Sequence, residues 1–221
     1  MVAAPLAAQA PAAYVFRVPF KGLQGASVAK TSTANGPTLI GDGVSTQGAC
    51  AYGGITGCAT FNPADADPAV TLSNGNLTES SSAGTPRSVR TTVSESSGKW
   101  YWEETSTGPN TYSGVGTSAE PLSDHPGFDN YGWGYMTYLG RFYHNGNGPN
   151  GTGGATGKSR RFMLDLDAGT LLVYEGNSKL FTTTGVTGAI FPIASGGTAT
   201  HNYGQSAFAY PVPAGYHAGF W

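Results

Sequence analysis

The amino-acid sequence predicts an all-β protein, a sandwich or barrel preceded by an extended N-terminal arm. Three observations carry this. Only 11% of the 221 residues are charged while 12% are aromatic, whereas disordered chains are usually charged and poor in aromatics. Glycine fills 34 positions, about twice its ordinary share, and marks frequent tight turns. From Phe61 onward, short segments of alternating polarity recur with turn residues every ~8–12 positions, the spacing of a sandwich or barrel. No segment carries a 3.6-residue apolar period, so few helices are expected.

The arm is residues 1–60. Its one plausible strand is Tyr14-Val-Phe-Arg-Val-Pro-Phe20, where Tyr14, Phe16 and Val18 alternate with Val15 and Arg17. The arm has little to build a core with, so Tyr14, Phe16, Val18 and Phe20 are expected to be buried against another chain. The opening Met1–Ala10 has the small apolar residues of a signal peptide, but no positive leading region, and Pro5 and Pro11 interrupt the apolar stretch. Secretion is not expected on this pattern. No apolar run reaches the ~18 residues of a membrane span, so no membrane insertion is expected. Cys50 and Cys58 are the only cysteines. They are either one disulfide closing a small loop or two small apolar fillers, and too sparse for a disulfide framework.

Residues 61–221 supply the sandwich. Alternation and turn punctuation predict strands at Ala69–Leu72, Ser88–Val93, Lys99–Glu104, Tyr112–Thr117, Tyr131–Met136, Arg141–His144, Arg160–Leu166, Leu171–Glu175, Thr182–Thr187, Ile190–Ile193 and Thr198–Tyr203. Period two puts Trp100 and Trp102 on one face and Tyr101 and Glu103 on the other. Phe162, Leu164 and Leu166 alternate with Met163, Asp165 and Asp167 in the same way, and Asp167-Ala-Gly-Thr170 supplies a turn. Trp133 is read as core. Asn145–Gly157 holds six glycines and is read as an exposed loop.

Catalytic and cofactor signatures are weak. Net charge is -2, too little to draw nucleic acid by counterion release, and Lys158, Arg160 and Arg161 read as a solvated strand edge. Gly157-Lys158-Ser159 departs from a P-loop, because Thr152 stands where the first glycine belongs and a strand follows instead of a helix. Ser123, Asp124 and His125 have the residue types of a triad, but sequence neighbours rarely converge, and Ser and Asp here suit turn capping. Glu103 and Glu104 point to opposite faces, and Asp165 and Asp167 sit at a hairpin, so no acid pair suits glycoside hydrolysis. The four histidines lack metal-ligand spacing. No enzyme activity, cofactor or metal is expected.

From Phe61 to about Tyr216 the chain resembles the SPRY family, in the Gly- and Asn-rich form found in tailed-phage proteins. Phe61-Asn-Pro with Val70-Thr-Leu-Ser-Asn-Gly-Asn-Leu-Thr78 is similar to the family's opening strand and turn. Ser97-Gly-Lys-Trp-Tyr-Trp-Glu-Glu104 is similar to its "G-K-x-Y-W-E" strand, following Val89-Arg-Thr-Thr-Val93. Tyr112-Ser-Gly-Val-Gly116 resembles "x-x-G-V", and Gly132-Trp-Gly-Tyr135 stands where the family tryptophan segment falls. Phe162–Tyr174 resembles the "L-D-x-x-x-G-T-L-x-F-Y" hairpin. Ile190-Phe-Pro192, Asn202-Tyr-Gly-Gln205 and Phe208-Ala-Tyr210 complete the series. Glu175-Gly-Asn177 departs from it, reversing the family's Asn-Gly and leaving that turn type open.

The resemblance implies a bent two-sheet antiparallel β-sandwich that binds proteins or glycans through its loops, without catalytic residues. Tyr14–Leu23 also resembles short openings of phage tail and fibre proteins. Together these imply a virion structural protein: a tail fibre or receptor-binding component, head fibre or capsid decoration at the particle surface. Its expected partners are other virion proteins through the arm, further copies of itself, and a host-surface glycan or protein. A free adaptor that recognises a host peptide is the alternative, and a carbohydrate-active enzyme a more distant one. The loops Glu120–Asn130 and Asn145–Gly157 flank an aromatic segment expected to form a hairpin at Leu139-Gly140. Tyr138, Arg141, Tyr143, His144 and Asp124 are therefore the candidate ligand-binding residues.

Overall fold

The computed structural model describes residues 29–33, 36–40, 48–51, 57–81, 86–108, 110–148, 153 and 155–221. Tyr14, Phe16, Val18 and Phe20 of the arm lie outside them, as do 149–152 and 154 of the glycine-rich loop. Two compact units divide the chain, Met1–Gly43 and Val44–Trp221. The first contains an antiparallel hairpin of β1 (Ala29–Thr33) and β2 (Gly36–Ile40), with Ala29 opposite Ile40. The sequence patterns gave no strand there.

The second unit is a sandwich of two sheets. Its strands are β3 (Phe61–Ala66), β4 (Val70–Ser73), β5 (Thr78–Ser81), β6 (Ser88–Thr91), β7 (Lys99–Ser106), β8 (Tyr112–Gly116), β9 (Gly132–Met136), β10 (Arg141–Tyr143), β11 (Ser159–Asp165), β12 (Thr170–Glu175), β13 (Ser178–Thr184), β14 (Phe191–Ser195), β15 (Thr198–Asn202) and β16 (His217–Ala218). One sheet runs β10-β9-β8-β14-β6-β3, and the other β13-β12-β11-β7-β15-β5-β4. The short β16 adds a parallel pairing to β7, His217 against Trp100.

The alternation read from sequence sets the core. Trp100, Trp102, Phe162, Leu164, Leu171 and Val173 face inward from one sheet and Val89, Val115, Trp133, Tyr135, Phe142 and Ala194 from the other. Trp102 stacks on its cross-strand partner Phe162, with ring centroids 5.2 Å apart. Phe220 and Trp221 close one end over Trp100. Tyr101, on the opposite side of β7, packs with Phe208 and Val212 into a smaller outer cluster.

Differences from the sequence reading have physical causes. β3 carries Pro63 and pairs regularly only at its ends, the form a proline-bearing edge strand takes, so periodicity did not reveal it. β13 starts at Ser178 because Gly176-Asn177 is a two-residue turn, Glu175 pairing with Ser178. Gly176 has φ 55° and Asn177 is not in the left-handed region, the glycine-first pattern of a II′ turn. Arg160 and Arg161 are not a solvated edge, since β11 lies between β12 and β7. Arg160 is fully buried, donating to Ser106 Oγ at 2.7 Å and the Ala155 carbonyl at 2.7 Å. The Arg161 guanidinium lies over the rings of both Tyr174 and Tyr210.

Of the two readings left open for the cysteines, the disulfide is the one formed, Cys50 to Cys58. It ties down a stretch the sequence placed in the arm. Ala49 N donates to the Ala218 carbonyl at 2.7 Å and Cys50 N to the Gly204 carbonyl at 2.9 Å. Residues 48–51 and 57–60 thus belong with the sandwich.

Candidate recognition surface

The outer face of the six-stranded sheet is unusual in its glycines. Period two turns Val115 and Trp133 inward, so Gly114, Gly116, Gly132 and Gly134 all face outward. The register pairs Gly114 with Gly134 and Gly116 with Gly132, giving a bare patch of backbone two strands wide. Segment 117–131 lies on that patch. A methyl group at Gly134 would collide with the Pro126 carbonyl, and one at Gly132 would come within 2.5 Å of the Glu120 carboxyl carbon. The motifs Gly-Val-Gly and Gly-Trp-Gly are therefore a seat for a loop, which requires backbone stripped of side chains.

Polar contacts fix the loop on its seat. Arg90 binds Asp65 through two nitrogens at 2.7 and 2.8 Å and donates a third hydrogen bond to the Glu120 carbonyl at 2.6 Å. The Glu120 side chain, 2% exposed, accepts from Gly127 N at 2.6 Å. Burial, and then the neighbouring Asp129 carboxylate, push its carboxyl up to about 9, so it is uncharged at neutral pH. Ser88 Oγ donates to the Asp124 carbonyl, and Asp124 Oδ1 accepts from His125 N at 2.8 Å. Asp124 is thus a turn residue, as its loop context suggested.

Around this loop an aromatic cluster forms. His125 stacks on Tyr112 with centroids 4.5 Å apart and a 4° interplanar angle, and meets Tyr143 at 4.4 Å and Phe128 at 5.8 Å. The Arg141 guanidinium stands 6.0 Å from the Tyr143 ring. Burial, then Tyr143 and Asp124, push the Tyr112 phenol up to about 12. Phe128, against His125, is 54% exposed, so a supported aromatic surface faces solvent with a carboxylate and a guanidinium at its margins.

The five residues named from sequence divide three ways. Asp124, Arg141 and Tyr143 come together here. His144 falls on the inner face of its hairpin, stacking on Trp133 at 4.8 Å and bonded to the Gly132 carbonyl at 2.7 Å. Tyr138 is exposed in the β9–β10 turn, two residues beyond Met136, which pairs with both Arg141 and Tyr112. That turn does fall at Leu139-Gly140, with Gly140 at φ 66°. Tyr112, His125 and Phe128 were missed. The available signal was the doubled Gly-x-Gly, since glycines at alternate strand positions leave a face that something else must cover.

No family model matches the sequence, and no curated protein matches it. Among solved structures the chain is similar to the PSpry domain of TRIM65, with 22% sequence identity, 66% of this chain and 92% of that chain covered, and a TM-score of 0.56. It is similar to stonustoxin at 24% identity, covering 66% of this chain and 27% of that one, with a TM-score of 0.56. The SPRY domain of human HERC1 matches at 20% identity, 64% and 96% coverage, and a TM-score of 0.55. At these identities the likeness is one of fold, and the sandwich is SPRY-like.

Proposed function

We propose that the chain is a non-enzymatic binding module whose sandwich recognises a protein through the loop surface around His125, and that it is a structural component of a bacteriophage particle. One observation carries the recognition reading. Segment 117–131 is moored on the glycine seat by Arg90, Ser88 and the uncharged Glu120, and it holds Phe128 outward against His125, with Asp124, Arg141 and Tyr143 alongside. Rigid aromatic anchors with a polar margin are what protein interfaces concentrate. A fixed loop also loses little conformational freedom on binding.

The acid pairs support the non-enzymatic reading, because each is engaged in holding the fold. Glu103 accepts from Ala209 N, Tyr210 N and the Tyr101 hydroxyl, while Glu104 is buried on the other face against Arg160. Asp165 and Asp167 accept from Ala168 N and Gly98 N at their hairpin. The particle reading rests on the Gly/Asn-rich SPRY resemblance and on the Tyr14–Leu23 opening, with residues 1–60 as the attachment arm. Particles purified with the parent chain should contain it in fixed stoichiometry. The chain lacking residues 1–25 should be soluble and absent from them. Normal incorporation of that truncation removes the arm from the attachment role, and absence of the parent chain from particles favours the free adaptor.

A further inference from the structure

The outer face of the opposite sheet carries a different surface. In β4, β5 and β15 the outward positions are Thr71, Ser73, Thr78, Ser80, Thr198, Thr200 and Asn202, because Leu72, Glu79, Ala199 and His201 point inward. Every one is a hydroxyl or an amide, where a solvated sheet face ordinarily mixes in about 25–35% charged residues. The register aligns three of these hydroxyl side chains with two more from β7 and β11 across the sheet: Ser73 opposite Thr78, Thr78 opposite Thr200, Thr200 opposite Thr105, and Thr105 opposite Ser159. Neighbouring strands hold them about 4.8 Å apart.

The row is the floor of a groove of about 280 Å³, lined by Thr200, Thr105 and Ser159 below and by two walls. One wall is the β4–β5 turn with Asn74 and Leu77, fixed by left-handed Asn74, Gly75 and Asn76. The other is segment 206–209. Asn202 holds it by donating to the Ser206 and Ala207 carbonyls at 3.2 and 3.1 Å, and Glu103 by accepting from Ala209 N at 2.7 Å. Both walls are therefore set before any ligand arrives.

We propose that this groove is a second binding site, separate from the loop surface, and that it takes a neutral saccharide. Serine and threonine hydroxyls each donate and accept, as sugar hydroxyls do, so a ladder of them at strand spacing can exchange hydrogen bonds with a polyol in several directions. Leu77 and the threonine methyls offer apolar contact to the C–H faces of a ring. Among the described residues that line the groove there is no lysine or arginine to neutralise a phosphate or carboxylate, and the one ring, His201, is turned into the core and not available to stack a base. Glu103, its one outward carboxylate, repels anions. The volume is near the lower end of small-ligand sites, about 300–1,000 Å³, and suits a mono- or disaccharide unit.

The test is a backbone-amide NMR titration of the full chain with maltotriose, cellotriose, chitotriose and lactose, with sialyllactose and a neutral peptide as controls. At least one neutral sugar should shift Thr105, Ser159 and Thr200 together. Thr105→Val and Thr200→Val should each weaken that response about tenfold, the scale of one lost hydrogen bond, with the rest of the spectrum unchanged. Tyr143→Ala should leave it intact, which separates this site from the loop surface. The proposal is overturned if no neutral sugar shifts the groove, if the shifts survive both valine variants, or if sialyllactose or the peptide gives the stronger response.

Discussion

Trp102 shows what one residue contributes when alternation, register and burial agree. It is 1% exposed and stacked on Phe162, with Tyr203 and Phe220 around it. Trp102→Ala should lower the unfolding free energy by about 3–5 kcal/mol, and a loss below ~1 kcal/mol in denaturant titration would mean that the face is not buried. Glu120 makes a prediction about pH. Its folded-state proton is held to about 9, while the unfolded chain releases it in the ordinary carboxylate range. The stability it contributes is complete below that range, falls as pH rises through the window, and levels off above about 9. Glu79 and Glu104, also raised by burial, add slope of the same sign, so the difference between variants isolates Glu120. Glu120→Gln keeps an acceptor for Gly127 N and removes the titration, and its melting temperature should decline less than the parent's between pH 5 and about 9. Parallel declines would show that Glu120 ionises freely in the folded chain. Trp102 was legible in the sequence because period two alone assigns its face. His125 was not, because a loop has no period and its stacking on Tyr112 and Tyr143 depends on where the loop lands.

At the scale of elements, the strands that were legible are those with strong alternation. β7, β8, β9, β11 and β12 fall within one or two residues of their expected spans, and the β9–β10 hairpin turns where expected. β5 was missed because its Thr-Glu-Ser-Ser sequence buries a glutamate where a hydrophobic residue would signal the inward face. β16 is two residues long and parallel, so it has no local signature at all. The glycine seat joins element to function. Gly134→Ala places a methyl group against the Pro126 carbonyl, and the loop must lift while the inward Trp133 and Tyr135 keep the sheet. Limited proteolysis should then cut within 117–131 faster than in the parent, with the β-type circular dichroism spectrum retained. Unchanged cleavage would show that the seat does not hold the loop.

At the scale of the whole molecule, the division of the chain is where sequence and structure differ most. Composition changes near residue 60, but the compact unit begins at Val44, because the disulfide and the pairing of residues 48–51 with 204 and 218 lie before that change. Long-range hydrogen bonds leave no mark on local composition. A chain beginning at Val44 should melt cooperatively at the parent's temperature. One beginning at Ala59 lacks the disulfide loop and the hydrogen bonds of Ala49, Cys50 and Ala51 to the Ala218 and Gly204 carbonyls, and should be less stable by about 1–3 kcal/mol. Equal melting of the two would place the boundary at 60 after all. The recognition surface is tested most directly by selecting binders for the full chain from a yeast-displayed peptide library and measuring their affinity for Phe128→Ala, Tyr143→Ala and Thr71→Ala, the last on the exposed face of the other sheet. Recognition centred on His125 predicts about tenfold or greater loss with the first two and parent-like affinity with Thr71→Ala. Binders that hold equally well to Phe128→Ala and Tyr143→Ala, both folded, would contradict it.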